Sequence, residues 1–262
     1  MKPPVFDKER RLYYRPGTCD NLVTDEVFGG RVYSRPGFEI GEGCLVIDIG
    51  ANIGAFALYA LRAAPGVRLF CYEPERSNFD LLTRNLAEGG FSGAKAFNCA
   101  VLDKKGRSLL YSSENQTSGC SFFLRGECAA EVETVPLKDI FDENGIRACG
   151  FLKIDAEGAE RAILENLPTA YFSLVDRIVL EYHNYIKRGD GLALAALLGR
   201  RGFAVDSVLP SDRVFGAGLI FARRARVSRL LAAVNCFKYL LAVPKAFYLL
   251  LAGLRSGRML TS

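Results

Sequence analysis

Two acids stand on either side of a glycine-bearing turn. Asp48 lies in Val46-Ile47-Asp48-Ile49-Gly50-Ala51-Asn52-Ile53-Gly54, and Glu73 in Phe70-Cys71-Tyr72-Glu73-Pro74. Each closes a run of β-branched and aromatic residues that reads as a buried strand. Glycine at 50 permits a tight turn and lets a ligand approach bare backbone. Glu73 comes nineteen residues after Gly54, where an acid can accept hydrogen bonds from both hydroxyls of a ribose. Pro74 ends the strand and fixes the direction of that carboxylate. Turn and acid together point to an adenosine-bearing cofactor. The dinucleotide fingerprint G-x-G-x-x-G brings a pyrophosphate to a helix N-terminus. The pattern here is Asp-x-Gly-x-Asn-x-Gly, with Ala51-Asn52 where the second glycine belongs. An acid at 48 repels a pyrophosphate and suits the ammonium of a methionine moiety. S-adenosyl-L-methionine is the expected cofactor, with Asp48 directed at its amino group and a helix beginning near Gly54.

Two further clusters sit at later strand ends. In Phe151-Leu152-Lys153-Ile154-Asp155-Ala156-Glu157-Gly158-Ala159-Glu160, Lys153 and Asp155 share one strand face. Glu157 and Glu160 fall near the next helix N-terminus, where complementing the helix dipole explains them as well as function does. Val179-Leu180-Glu181-Tyr182-His183-Asn184 carries the single histidine of the chain. A neutral hydrogen-bonded side chain is its plain reading, and a general base its functional one. A hydroxyl acceptor must lose its proton as a new bond forms, and Asp155 and His183 on neighbouring strand ends could share that task. Nothing in the spacing demands a metal, although Asp155 and Glu157 could ligate one. The eight cysteines include no C-x-x-C pair, which argues against a zinc site.

In order along residues 44–222, these four motifs resemble the FkbM family of methyltransferases. The resemblance implies a class I methyltransferase (Rossmann-like) α/β fold: a doubly wound sheet, mostly parallel, with a final antiparallel strand. It implies methyl transfer mostly to hydroxyl oxygens, on acceptors as diverse as sugars, polyketides and lipids. By resemblance, Asp48, Gly50, Asn52 and Gly54 belong to the cofactor loop, Glu73 holds the ribose, and residues 98–101, among them Asn98 and Ala100, border the adenine. Residues 153–160 and 181–183 face the reaction, which makes Lys153, Asp155 and His183 the catalytic candidates.

The elements that must position these residues alternate regularly. Strands are expected over 44–49, 67–73, 94–101, 151–155 and 177–182, with helices over 54–63, 77–88 (Ser77 as N-cap), 158–166 and 192–200 between them. Residues 108–136 break the rhythm with strand-like runs at 109–112 and 131–135. Runs at 203–209 and 218–222 read as a closing antiparallel pair. Such alternation builds a parallel sheet with helices on both faces, and ligands bind at its carboxyl edge. Residues 1–43 read as a lead-in with a short strand near 31–34, residues 44–222 as the methyltransferase domain, and residues 223–262 as a helical tail.

The charge is divided unevenly. Of 34 basic and 29 acidic residues, eight basic residues and no acid fall in 223–262, leaving 26 against 29 in the rest. The tail is also apolar: its stretch 239–254 is interrupted by Pro244 and Lys245 and is shorter than the ~20 residues a spanning helix needs. Such a segment suits an anionic membrane surface or packing in a homo-oligomer. The N-terminus lacks the apolar core of a signal peptide, so a cytoplasmic protein, peripheral at the inner membrane face, is expected. The rival readings are a nicotinamide dehydrogenase, a nucleic-acid methyltransferase using the basic tail, and a non-catalytic cofactor-binding module. The first lacks its glycine loop, the apolar tail disfavours nucleic acid as a partner, and the polar residues retained at the rim disfavour the third. A small-molecule, glycan or lipid hydroxyl is the expected acceptor.

Overall fold

A computed structural model describes residues 2–30, 32–112, 128–186, 189–210 and 216–224. Its main sheet grows from the most apolar strand, β3 (Leu45–Ile49), every residue of which is buried. Parallel neighbours flank it: β4 (Arg68–Tyr72) with β5 (Ala94–Phe97) beyond, and β9 (Phe151–Ile154) with β10 (Arg177–His183) on the other side. The sheet ends in an antiparallel pair, β11 (Phe203–Pro210) and β12 (Ala217–Arg224), with β12 inserted beside β10. The strand order β11-β12-β10-β9-β3-β4-β5 reverses direction of growth between β3 and β9. A crevice opens at such a reversal, and Gly50 and Asp155 meet there. The expected doubly wound, mostly parallel sheet with an antiparallel close is what the chain forms.

Both sheet faces are covered, as strands apolar on both sides require. Ile47, Ile49, Leu152 and Ile154 pack in one core with α4 (Leu137–Glu143), α5 (Glu160–Asn166) and α7 (Asp190–Arg200). Val46, Leu69 and Phe151 pack in the other with α2 (Ala55–Ala63) and α3 (Arg76–Glu88).

Residues before β3 add to this second layer. A hairpin of β1 (Val5–Asp7) and β2 (Leu12–Tyr14) leads into α1 (Asp20–Thr24) and a π-helical turn, Asp25–Gly29. Asn85 of α3 grips the hairpin as a strand would: its Oδ1 accepts from the Tyr13 amide (2.6 Å) and its Nδ2 donates to the Tyr13 carbonyl (3.0 Å). Arg15 makes a two-pronged ion pair with Asp20 at 2.8 and 2.9 Å and donates to Ser77 Oγ at 2.8 Å. Both partners of the pair are buried.

Several local expectations are corrected. The stretch 94–101 is two strands, because β6 (Ala100–Leu102) leaves the main sheet and pairs with β8 (Cys128–Pro136), itself antiparallel to β7 (Gly106–Ser112). Glu75, not Ser77, caps α3; its carboxylate accepts from the amides of Ser77 (3.0 Å) and Asn78 (2.7 Å). No strand forms at 32–34, where Tyr33 turns into the core instead. The tail beyond Arg224, and with it the expected tail helix, lies outside the described residues. No helix among the described residues is long and apolar enough to cross a membrane.

Candidate active site

The carboxyl ends of β3, β4, β9 and β10 open into a cavity of about 270 Å³. Glu73 and Ala100 stand toward one end, and Asp155, Glu157 and Glu181 toward the other. Leu22, Val23 and Glu26, from α1 and the π-helical turn, form a wall of it.

At the first end the backbone turns where sequence reading put it. Gly50, Asn52 and Gly54 all have positive φ, at 74°, 50° and 90°. Packing within the protein restricts both glycine positions. A Cβ on Gly50 would stand 1.8 Å from the Asp155 carbonyl oxygen, and one on Gly54 would meet Leu82 Cδ1 at 2.7 Å. Gly50 therefore lets β3 and β9 converge above the sheet, and Gly54, which does not line the cavity, seats α2 against α3. The Asn52 amide donates to Glu73 Oε2 at 2.8 Å, and the Glu75 amide to Glu73 Oε1 at 2.9 Å. Burial outweighs these donors and pushes the Glu73 carboxyl up to about 7. A buried carboxylate in a cavity wall, with lone pairs to spare, fits a ribose diol. Asn98 does not reach this wall. Its Nδ2 donates to the carbonyls of Glu73 (2.9 Å) and Pro74 (3.0 Å), fixing the loop that carries Glu73.

Asp48 departs most from expectation. Its side chain is fully buried and absent from the cavity wall, turned to the neighbouring strand. Its partner is Lys153, opposite it across the β3–β9 register, with Nζ 3.0 Å from Asp48 Oδ1. Lys153 also donates to the Gly50 carbonyl at 2.8 Å and lies 3.7 Å from Asp155 Oδ2. Burial works against its charge, but Asp48 and Asp155 outweigh burial and hold the ammonium well above its ordinary range. Lys153 is thus a fixed cation that ties β3 to β9 under the crevice, unsuited to take a proton.

The cavity wall also gathers acids from β10 and from the loop after β9. Glu157 adopts φ 47°, and Tyr185 donates to its Oε2 at 2.7 Å. Burial, with Asp155 nearby, pushes Glu157 up to about 7 against the pull of His183, and raises Glu181 well above the carboxylate range. His183 is only 4% exposed and lies behind Asp155 and Glu157, outside the cavity lining. Its Nδ1 is 3.0 Å from Glu160 Oε1. Burial disfavours the imidazolium, yet the Glu160 hydrogen bond and the charges of Glu160, Glu157 and Asp155 prevail and push the ring up to about 10. Protonated and set back from the cavity, His183 does not suit the general-base role. Asp155 and His183 are on adjacent strand ends, as expected, with Nε2 4.0 Å from Asp155 Oδ1. Glu26 and Tyr33 are not singled out by the sequence, because their meeting with the site depends on the lead-in folding over the sheet, whereas Glu181 falls in the 181–183 run expected to face the reaction. The conspicuous Leu-Glu-Tyr-His run was the one available signal for Glu181.

A class I methyltransferase sheet, with a cavity at its reversal point and an acid at the end of the second of its parallel strands, defines the class of protein. The FkbM methyltransferase domain matches residues 48–205. The 31-O-demethyl-FK506 methyltransferase FkbM of Streptomyces tacrolimicus is 32% identical over 234 residues, covering 77% of this chain and 87% of that protein. Methyltransferase sdnD of Sordaria araneosa is 26% identical, with 78% and 90% covered. Among solved structures, the magnesium protoporphyrin IX methyltransferase of Synechocystis PCC 6803 with bound SAM is 15% identical, covering 78% and 79% of the two chains at a TM-score of 0.42. The chain belongs to the FkbM methyltransferase family. It is a methyltransferase whose cofactor is S-adenosylmethionine.

Proposed function

We propose that the chain methylates a hydroxyl oxygen of a small-molecule acceptor. The observation that carries this reading is the pair of carboxylates, Asp155 and Glu181, at the cavity end away from Glu73. Bound S-adenosylmethionine supplies an electrophilic methyl group on its sulfonium. An attacking hydroxyl must give up its proton as the ether bond forms, and a carboxylate within reach is the group that takes it. Asp155 is assigned that task, and Glu181, whose protonated form burial favours, aligns the hydroxyl beside it. Lys153, locked to Asp48, holds the two strand ends at fixed separation and so contributes orientation. Leu22, Val23 and Tyr33 exclude water from the acceptor. The name of the Streptomyces relative, an O-demethyl substrate's methyltransferase, supports oxygen as the nucleophile.

The test is transfer of labelled methyl to a panel of sugars, glycolipids and hydroxylated polyketides, with matched amines as controls. Label should appear as a methyl ether. Asp155→Asn and Glu181→Gln should each lower kcat by about 100-fold or more while S-adenosylhomocysteine binding is unchanged. Methylation of amines alone, or full turnover by both variants, would overturn the assignment.

A further inference from the structure

We propose that Asp155, Glu157 and His183 bind a divalent cation at the acceptor end of the cavity. One ligand atom of each lies within 4.8 Å of the other two. His183 Nε2 stands 3.5 Å from Glu157 Oε2 and 4.0 Å from Asp155 Oδ1. Hydrogen bonds between such atoms close to about 2.7–3.2 Å. Ligands of an ion with bonds of about 2.1 Å stand roughly 3–4 Å from one another. The spacing leaves room for an ion between the three groups.

The imidazole is oriented independently of the two carboxylates. Glu160 is fully buried and its Oε1 lies 3.0 Å from His183 Nδ1. The same oxygen accepts from the amides of Ala156 (3.0 Å) and Gly158 (3.1 Å), on the loop that carries Glu157. A carboxylate can only accept, so Nδ1 is the donor. The ring's other nitrogen is thereby presented to Asp155 and Glu157, and the ion takes the place of any proton there. A carboxylate fixing the far nitrogen is the usual outer-shell support of a metal-bound histidine. Glu160 Oε2 has no hydrogen-bond partner despite complete burial, an excess of negative charge that a nearby cation offsets. Lys153 bonds to Asp48 and the Gly50 carbonyl and stands 3.7 Å from Asp155 Oδ2, so it does not pair with Glu157. Two carboxylates, one imidazole and no thiolate suit Mn²⁺ or Mg²⁺ better than a soft ion. Asp155 and Glu157 line the cavity, so the open side of the ion faces the acceptor, where vicinal hydroxyls would complete its shell.

This inference rests on the acceptor end being assigned correctly, but the ion can be measured without any methyl transfer. The full chain, stripped with chelator and saturated with S-adenosylhomocysteine, is titrated with Mn²⁺ by electron paramagnetic resonance and calorimetry. One ion per chain should bind, displaced by excess Mg²⁺. His183→Ala and Asp155→Asn should weaken it by at least 100-fold. Glu160→Gln, a change in a positioning residue, should weaken it about tenfold at unchanged stoichiometry. Retained S-adenosylhomocysteine affinity shows that a variant is folded, and Glu157→Gln replaces any that is not. Absence of stoichiometric Mn²⁺ in the unaltered protein, or equal binding by the folded variants, would overturn the proposal.

Discussion

Glu73 shows how one buried side chain sets a measurable property of the molecule. Its carboxyl is pushed up to about 7 by burial, against the amides of Glu75 and Asn52. Ribose hydroxyls donate best to the ionised form, so cofactor binding favours loss of that proton. Below pH 7 the free protein holds the proton, and binding must expel it. S-adenosylhomocysteine affinity should therefore weaken about tenfold between pH 8 and pH 6, with proton release measurable by calorimetry in buffers of different ionisation enthalpy. Glu73→Gln should abolish the pH dependence and cost about 1.5–3 kcal/mol of binding. A flat pH profile in the unaltered protein would separate Glu73 from the ribose. The position of Glu73 was legible in sequence because strand end and acid are adjacent residues. Its protonation was not, because burial is set by residues distant in the chain.

At the scale of elements, the lead-in is held by few contacts of high value. Arg15 and Asp20 are buried together, and removing Asp20 leaves the buried guanidinium with only the neutral acceptors Ser77 and Asn78, a loss of about 3–5 kcal/mol. Asp20→Ala should lower the urea midpoint accordingly. It should also weaken S-adenosylhomocysteine binding, because α1 and the following π-helical turn bring Val23 and Glu26 into the cavity wall. The double variant Arg15→Met with Asp20→Leu should recover much of the stability. A single variant with unchanged midpoint would show that the lead-in adds nothing to the fold. The hydrophobic periods of β3, β4, β9 and β10 were readable because buried parallel strands are continuous apolar runs. The split of 94–101 was not, since Asn98 and Cys99 interrupt the run only by leaving the sheet.

Over the whole molecule, the last strand of the sheet among the described residues runs to Arg224, which pairs with Phe203 and whose amide donates to the Asp176 carbonyl at 2.7 Å. A chain ending there should bind S-adenosylhomocysteine as the full chain does, whereas ending at Ala222 cuts the last strand. The proposal that the residues beyond 224 meet an anionic membrane rests on their basic and apolar composition. Flotation with anionic liposomes tests it: the full chain should float and the chain ending at Arg224 should not, and equal behaviour would remove the proposal. Sequence by itself determined the class of fold, the glycine turn and the acid at the second strand end, because each is a local pattern. Tertiary structure alone decided what those residues touch. Asp48 was drawn onto Lys153 across a strand register that joins positions over a hundred residues apart. Asp155, Glu157 and His183 converge because β9 and β10 lie side by side, a neighbourhood that no spacing along the chain encodes.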